Sequence, residues 1–72
     1  MNLKYSMKNT INLGDKWRYK EDVVLIINYE HPNFIVRNYT TKETMKVHHD
    51  FFLWKGKQLE RGNGQPLPFF EI

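Results

Sequence analysis

The sequence predicts one small, mainly β domain: a five-stranded antiparallel barrel with a C-terminal extension. Short alternating stretches separated by turn residues every ~8–12 positions are typical of a small barrel or sandwich. Aromatic residues make up 15% of the 72 positions, and a chain this short needs large rings to fill a core. Ala and Cys are absent. The missing Cys excludes a disulfide framework and thiolate metal sites.

The first predicted strand is residues 16–20, where basic and aromatic side chains alternate strictly. Successive side chains of a strand point to opposite faces, so Trp17 and Tyr19 are predicted to face the core and the charges to face solvent. Gly14 and Asp15 precede the strand and predict a turn.

The next two strands carry the strongest β signal in the chain. Residues 23–29 are rich in β-branched side chains, and residues 34–39 follow after a polar turn that contains Pro. Both strands are predicted to supply the core, with Ile27 and Val36 among the buried residues.

A hairpin connection leads to the fourth strand, residues 44–48, with Met45 and Val47 on its apolar face. The following residues, 49–54, are too short and too aromatic a segment for a stable isolated helix. They predict a single 3₁₀ turn, with Asp50 as its cap, before a last short strand.

The chain therefore divides into an N-terminal segment, a barrel and an extension that packs on the barrel. The predicted bounds are 1–12, 13–57 and 58–72. The extension carries an apolar end that either docks on its own domain or contacts a partner or a second copy, since free apolar residues would form a sticky surface. The residues expected at such a contact are Leu67, Phe69 and Phe70.

This layout resembles SH3-like barrels of the Tudor and KOW type over residues 13–54. The resemblance rests on Leu13-Gly14-Asp15-Lys16-Trp17, Val23-Val24-Leu25-Ile26-Ile27, Phe34-Ile35-Val36-Arg37, Met45-Lys46-Val47 and the short turn His49-Asp50-Phe51-Phe52 before the last strand. The surplus of Lys, Asn and Ile and the absence of Ala predict an AT-rich gene, and small barrels with such coding resemble accessory proteins of phages and prophages. The resemblance implies binding to protein, RNA or DNA.

A basic strand face is the first candidate site. The formal net charge is +3, and the predicted outward positions bring cations and one ring together. The residues expected to bind nucleic acid or a partner are Arg18, Lys20, Arg37, Tyr39 and Lys46. Cations would neutralise phosphates and Tyr39 would stack on a base. The alternative is an ordinary solvated face of a small sheet.

Histidines and aromatic residues suggest two further sites, and a structural interpretation is favoured for both. His48, His49 and Asp50, with His31, have metal-ligand chemistry. However, adjacent histidines on a strand point to opposite faces, so no metal site is predicted. The second of these sites is an aromatic cage, which would bind a methylated cation. The rings that could form such a cage are interpreted mainly as core residues: Trp17, Tyr19, Tyr29, Tyr39 and Trp54.

Catalytic groups are scarce. The only Ser is Ser6, and the Gly62-Asn63-Gly64 stretch lacks the Lys and Ser or Thr of a phosphate-binding loop. The sequence therefore predicts a non-enzymatic binding module without cofactors that acts through a protein partner, as a phage-type modulator of a host or viral complex would. The alternative is a KOW-like nucleic-acid-binding domain. The longest apolar run has five residues, too few for a membrane span, so a cytoplasmic protein without membrane contact is expected. The sequence leaves open whether the protein forms a homo-oligomer.

Overall fold

The computed structural model describes residues 10–71, with side chains described for residues 11–67. Within these bounds the protein is mainly β, as predicted, and it also contains one short helix. The elements in chain order are β1 (Thr10–Asn12), β2 (Lys16–Tyr19), β3 (Asp22–Glu30), β4 (Asn33–Asn38), β5 (Thr44–His48), α1 (His49–Lys55), β6 (Gly56–Glu60) and β7 (Pro66–Glu71). The expectations for residues 1–9 lie outside the described residues.

Strands β2 to β6 form one antiparallel sheet with the order β5-β4-β3-β2-β6. The first strand of this sheet along the chain, β2, therefore pairs with β3 on one side and with the last strand, β6, on the other. Over residues 10–71 the edge strands β5 and β6 are not paired with each other, so closure into a barrel stays a prediction. The helix α1 connects these two edges.

The core lies on one face of this sheet, under the helix. The alternation of β2 and β4 places Trp17, Tyr19, Phe34 and Val36 inward, and all four are buried as predicted. The described core consists of Ile11, Trp17, Tyr19, Val24, Ile26, Phe34, Val36, Val47, Phe52 and Leu67.

Ile27 is not a core residue, which corrects the sequence prediction. The pairing of β3 with β4 shifts between Ile26 and Asn28, so Ile27 lies in a β-bulge and its side chain is 36% exposed. A bulge inserts one unpaired residue and reverses the facing of those that follow. As a result Tyr29 turns inward and its ring packs edge-on against Phe34, with centroids 5.2 Å apart.

The predicted 3₁₀ turn is wrong: residues His49–Lys55 form a seven-residue α-helix. Asp50 lies in its first turn, and the capping acceptor is the His48 side chain, which accepts from the Asp50 amide. Short helices in proteins are stabilised mainly by packing. Here the packing comes from fully buried Phe52, whose ring lies 4.9 Å from Trp17 and 5.1 Å from Phe34.

Met45 is less buried than its pattern predicts. It lies opposite Val36 across β4 and β5, which places it on the apolar face with Val47. Because β5 is an edge strand, no further strand of residues 10–71 pairs with it beyond Met45, which is 39% exposed while Val47 is buried.

Asp15 connects the two ends of the described chain. Its carboxylate is fully buried and accepts hydrogen bonds from the Asn12 amide (3.0 Å), the Gln58 side chain (2.8 Å) and the Gly62 amide (2.6 Å). Gly62 approaches so closely that a Cβ there would lie 2.3 Å from the carbonyl carbon of Gly14. The turn predicted at Gly14 and Asp15 is therefore also the anchor of the loop before β7.

The C-terminal strand β7 pairs antiparallel with β1 in a separate two-stranded sheet. Leu67 lies opposite Ile11, and both side chains are buried in the chain's own core. Leu67 therefore presents little surface to a partner, whereas the side chains of Phe69 and Phe70 lie outside the described residues. Strand β6 crosses the boundary expected between barrel and extension at residues 57 and 58.

Candidate functional site

Cations gather on the outer face, by which we mean the side of the five-stranded sheet turned away from the core. Residues directly opposite each other on neighbouring strands share a face. Lys16 lies opposite Leu25, and Leu25 lies opposite Arg37, so the two cations flank one apolar residue in a row across three strands. The same reasoning places further cations on this face, opposite Val23 and Ile35 respectively: Arg18 and Lys46.

Two of these outer-face cations have carboxylate partners. Lys16 lies 3.6 Å from Glu60, and Lys46 lies 4.0 Å from Glu30. Such surface pairs contribute little to stability and exchange readily for other anions. Arg18 and Arg37 are exposed, and in the described part of the chain neither has a carboxylate within ion-pair distance. They lie two strands apart and two residues out of register, which puts their backbones about 12 Å from each other.

Tyr39 adds an aromatic ring at the edge of the outer face. It follows β4 directly and is 48% exposed. The Lys16 ammonium lies 4.6 Å from the ring centroid, and the Lys42 ammonium lies 5.3 Å from it. Cations at these distances are attracted to the face of a ring.

Lys20 does not join the outer face, unlike the other residues of the predicted basic set. It lies in the turn between β2 and β3, with a positive φ of 59° that ends the strand alternation. Its ammonium lies over the rings of Tyr19 and Phe51, at 5.5 Å and 5.6 Å from their centroids, next to the helix.

The helix carries a second candidate surface, the aromatic patch, which consists of Phe51 and Trp54 with the neighbouring Lys20 and Lys55. Trp54 is 72% exposed and Phe51 is 40% exposed, and their rings contact edge to face at 5.8 Å. The Lys55 ammonium lies 4.6 Å from the Trp54 ring centroid. Sequence reasoning missed this surface because a helix was not predicted. The three-residue spacing of Phe51 and Trp54 is the signal that would have placed both rings on one helix face.

The five rings considered for an aromatic cage do not surround one cavity. Trp17 and Tyr19 are buried in the core, as the structural interpretation predicts. Tyr39 lies by the outer face and Trp54 on the helix, while Tyr29 packs against Phe34 and the histidines.

Two histidines, His31 and His49, contact Tyr29 where β3, β4 and the start of α1 come together, and His48 adjoins His49. The Tyr29 hydroxyl lies 2.8 Å from His31 Nδ1 and 2.9 Å from His49 Nδ1. The other ring nitrogen of His49, Nε2, lies 3.3 Å from Asp50 Oδ1. The His48 ring contacts the His49 ring at 4.7 Å.

Burial raises the pKa of Tyr29 above its usual value, and the negative charge of Asp50 raises it further. The phenol therefore keeps its proton at neutral pH and links the two histidines as both donor and acceptor. Sequence reasoning named these histidines, but not Tyr29 as the group that joins them. The bulge at Ile27, which turns Tyr29 inward, has no signal in the sequence pattern.

Comparison of the chain with protein-family models, curated proteins and solved structures gave no match. No helix in residues 10–71 is long and apolar enough to cross a membrane.

Proposed function

We propose that this protein is a small non-enzymatic binding module that acts through a protein partner, and that the aromatic patch on α1 is the contact. The observation that carries the proposal is the 72% exposure of Trp54 on a helix otherwise fixed by fully buried Phe52. Trp and other large rings dominate the energetics of protein interfaces when a partner buries them.

The charges around the patch specify the partner's chemistry. Lys20 lies beside Phe51 and Lys55 lies beside Trp54, so cations flank the exposed rings on both sides. A complementary partner presents an apolar side chain to the rings and carboxylates to the two ammonium groups. This acidic and apolar surface is the partner we propose.

The scaffold that we propose is an SH3-like barrel. Two features support it: the first and last strands of the five-stranded sheet are neighbours, and a single short helix precedes the last strand. The composition, rich in Lys, Asn and Ile and without Ala, is typical of AT-rich genes and supports the further proposal that the module is a phage-type modulator of a host or viral complex.

Selection from a random peptide library on the immobilised full-length protein tests the contact. We expect enriched peptides to combine an apolar residue with Asp or Glu. Trp54→Ala should weaken their binding by about 10-fold or more, the loss typical of a central interface Trp. Fluorescence anisotropy with a labelled enriched peptide measures the effect.

Tyr39→Ala is the matched control, because Tyr39 is also an exposed ring flanked by lysines but lies outside the aromatic patch. It should leave peptide affinity within about twofold, since it removes no buried contact. Absence of enriched peptides, or equal losses for the two variants, would overturn the proposal.

A second candidate function, binding of single-stranded nucleic acid on the outer face, is favoured by one observation. The register of the sheet places the exposed residues Arg18 and Arg37 on the same face. Lys16 lies on this face as well, and its ammonium contacts the ring of Tyr39. Cations along a groove with rings for stacking are typical of proteins that bind single strands.

Anisotropy with labelled single-stranded DNA and RNA of about 12 nucleotides, over a salt series, tests this second function. Arg37→Gln should weaken binding and lower the slope of log affinity against log salt by about 0.7, the value for one lost phosphate contact on a single strand. Lys20→Gln also removes one positive charge, but from the helix side of the domain. It should change neither the affinity nor the salt slope. Lack of binding at low salt, or equal effects of the two substitutions, would exclude the outer face as a nucleic-acid site.

A further inference from the structure

We propose that His48, His49 and Asp50 form a binding site for a divalent transition-metal ion of the Zn²⁺ class at the junction of β5 and α1. Each residue offers one ligand atom, and these atoms all lie within 4.8 Å of one another. Imidazole nitrogens and a carboxylate oxygen are the usual ligands of zinc outside thiolate sites.

One pair of these ligand atoms already has the spacing that a tetrahedral ion needs. His49 Nε2 and Asp50 Oδ1 are 3.3 Å apart. Ligands at about 2.0–2.1 Å from a tetrahedral ion lie about 3.3–3.4 Å from each other. An ion can therefore lie between these two atoms without moving them apart.

The change from strand to helix between His48 and His49 explains how the ligand atoms of adjacent histidines lie close together. On a continuous strand His48 and His49 would point to opposite faces. His48 is instead the last residue of β5 and His49 the first of α1, and their ring centroids lie 4.7 Å apart. Strand alternation therefore does not separate the side chains of His48 and His49 at this junction.

Tyr29 supplies the outer support that metal-binding histidines typically have. A ligating histidine usually donates its other ring N–H to a fixed acceptor, which sets the tautomer and orients the ring. His49 Nδ1 lies 2.9 Å from the Tyr29 hydroxyl, which in turn lies 2.8 Å from His31 Nδ1. When His49 Nε2 binds the ion, His49 Nδ1 would donate to the Tyr29 hydroxyl and Tyr29 would donate to His31.

The position of the ligands makes the site open to solvent. Asp50 has 83% of its side chain exposed, whereas His49 is held with 20% exposed. One fixed, supported ligand and two accessible ones leave a position for water or for a group of another molecule. Structural zinc sites instead have four protein ligands, so three ligands leave the fourth tetrahedral position open.

Isothermal titration calorimetry of the untagged full-length protein with ZnCl₂ tests the site, and Co²⁺ absorption reports the coordination geometry. We expect one ion per chain. His49→Gln and Asp50→Asn should each weaken binding by about 10-fold or more. Tyr29→Phe, which keeps the ring but removes the hydroxyl, should weaken it by about 10-fold through the loss of outer support.

Two further variants separate metal binding from folding. His48→Asn keeps a side-chain acceptor for the Asp50 amide, so the helix cap survives while the imidazole is lost. It should weaken Zn²⁺ binding without changing the circular dichroism. Asp22→Asn, which neutralises an exposed carboxylate at the start of β3, should leave binding unchanged. Lack of Zn²⁺ binding by the folded wild-type protein, or equal binding by wild type and His49→Gln, would overturn the proposal.

Discussion

Val36→Asp should abolish folding of the domain. Val36 is fully buried and lies between Ile26 on β3 and Met45 on β5, both on the apolar face of the sheet. A buried charge without a partner costs several kcal/mol, which is comparable to the whole free energy of unfolding of a small domain. Circular dichroism and urea titration should show an unfolded chain without a cooperative transition.

Ile27→Asp is the matched control, because Ile27 is also a β-branched residue of a central strand. It lies in the bulge of β3 and is 36% exposed, so its carboxylate can reach water. We expect this variant to fold and to lose about 1 kcal/mol or less of its free energy of unfolding. Unfolding of the Ile27 variant, or a normal transition of the Val36 variant, would contradict the facing of β3 and β4 described above.

Asp15→Ala should destabilise the protein by about 3 kcal/mol or more, because a hydrogen bond to a charged group contributes about 1.5–3 kcal/mol and its loss leaves buried donors without a partner. The substitution removes the acceptor for the Asn12 and Gly62 amides and the Gln58 side chain together. Urea unfolding measures the loss. Limited proteolysis should also show faster cleavage in the loop at Gly62, since that loop loses its anchor.

Asp22→Ala provides the comparison for Asp15, because Asp22 is an exposed carboxylate at the start of β3. Surface substitutions of this kind change stability by about 0.5 kcal/mol or less. The free energy of unfolding lost in Asp15→Asn should lie between the losses of the two alanine variants, since the amide keeps one acceptor oxygen. If Asp15→Ala cost no more than Asp22→Ala, the buried carboxylate would not be the anchor of the C-terminal loop.

The candidate sites differ in how far the sequence could predict them. Alternation predicted that Arg18, Arg37 and Lys46 point away from the core, because facing is a local property within a strand that has no bulge. Lys20 left that face because the turn after β2 takes a positive φ. The aromatic patch was missed because α1 depends on Phe52 packing against Trp17 and Phe34, residues distant in sequence.

By itself, the sequence determined the β class and the inward faces of β2 and β4, since period-two patterning is a local property that each strand carries alone. Only the tertiary structure decided the bulge at Ile27, the helix α1, the burial of Asp15 and the meeting of His49 with Tyr29. Each of these depends on contacts between segments far apart in the chain. Their free energy comes from shared burial and hydrogen bonding, which local residue patterns do not encode.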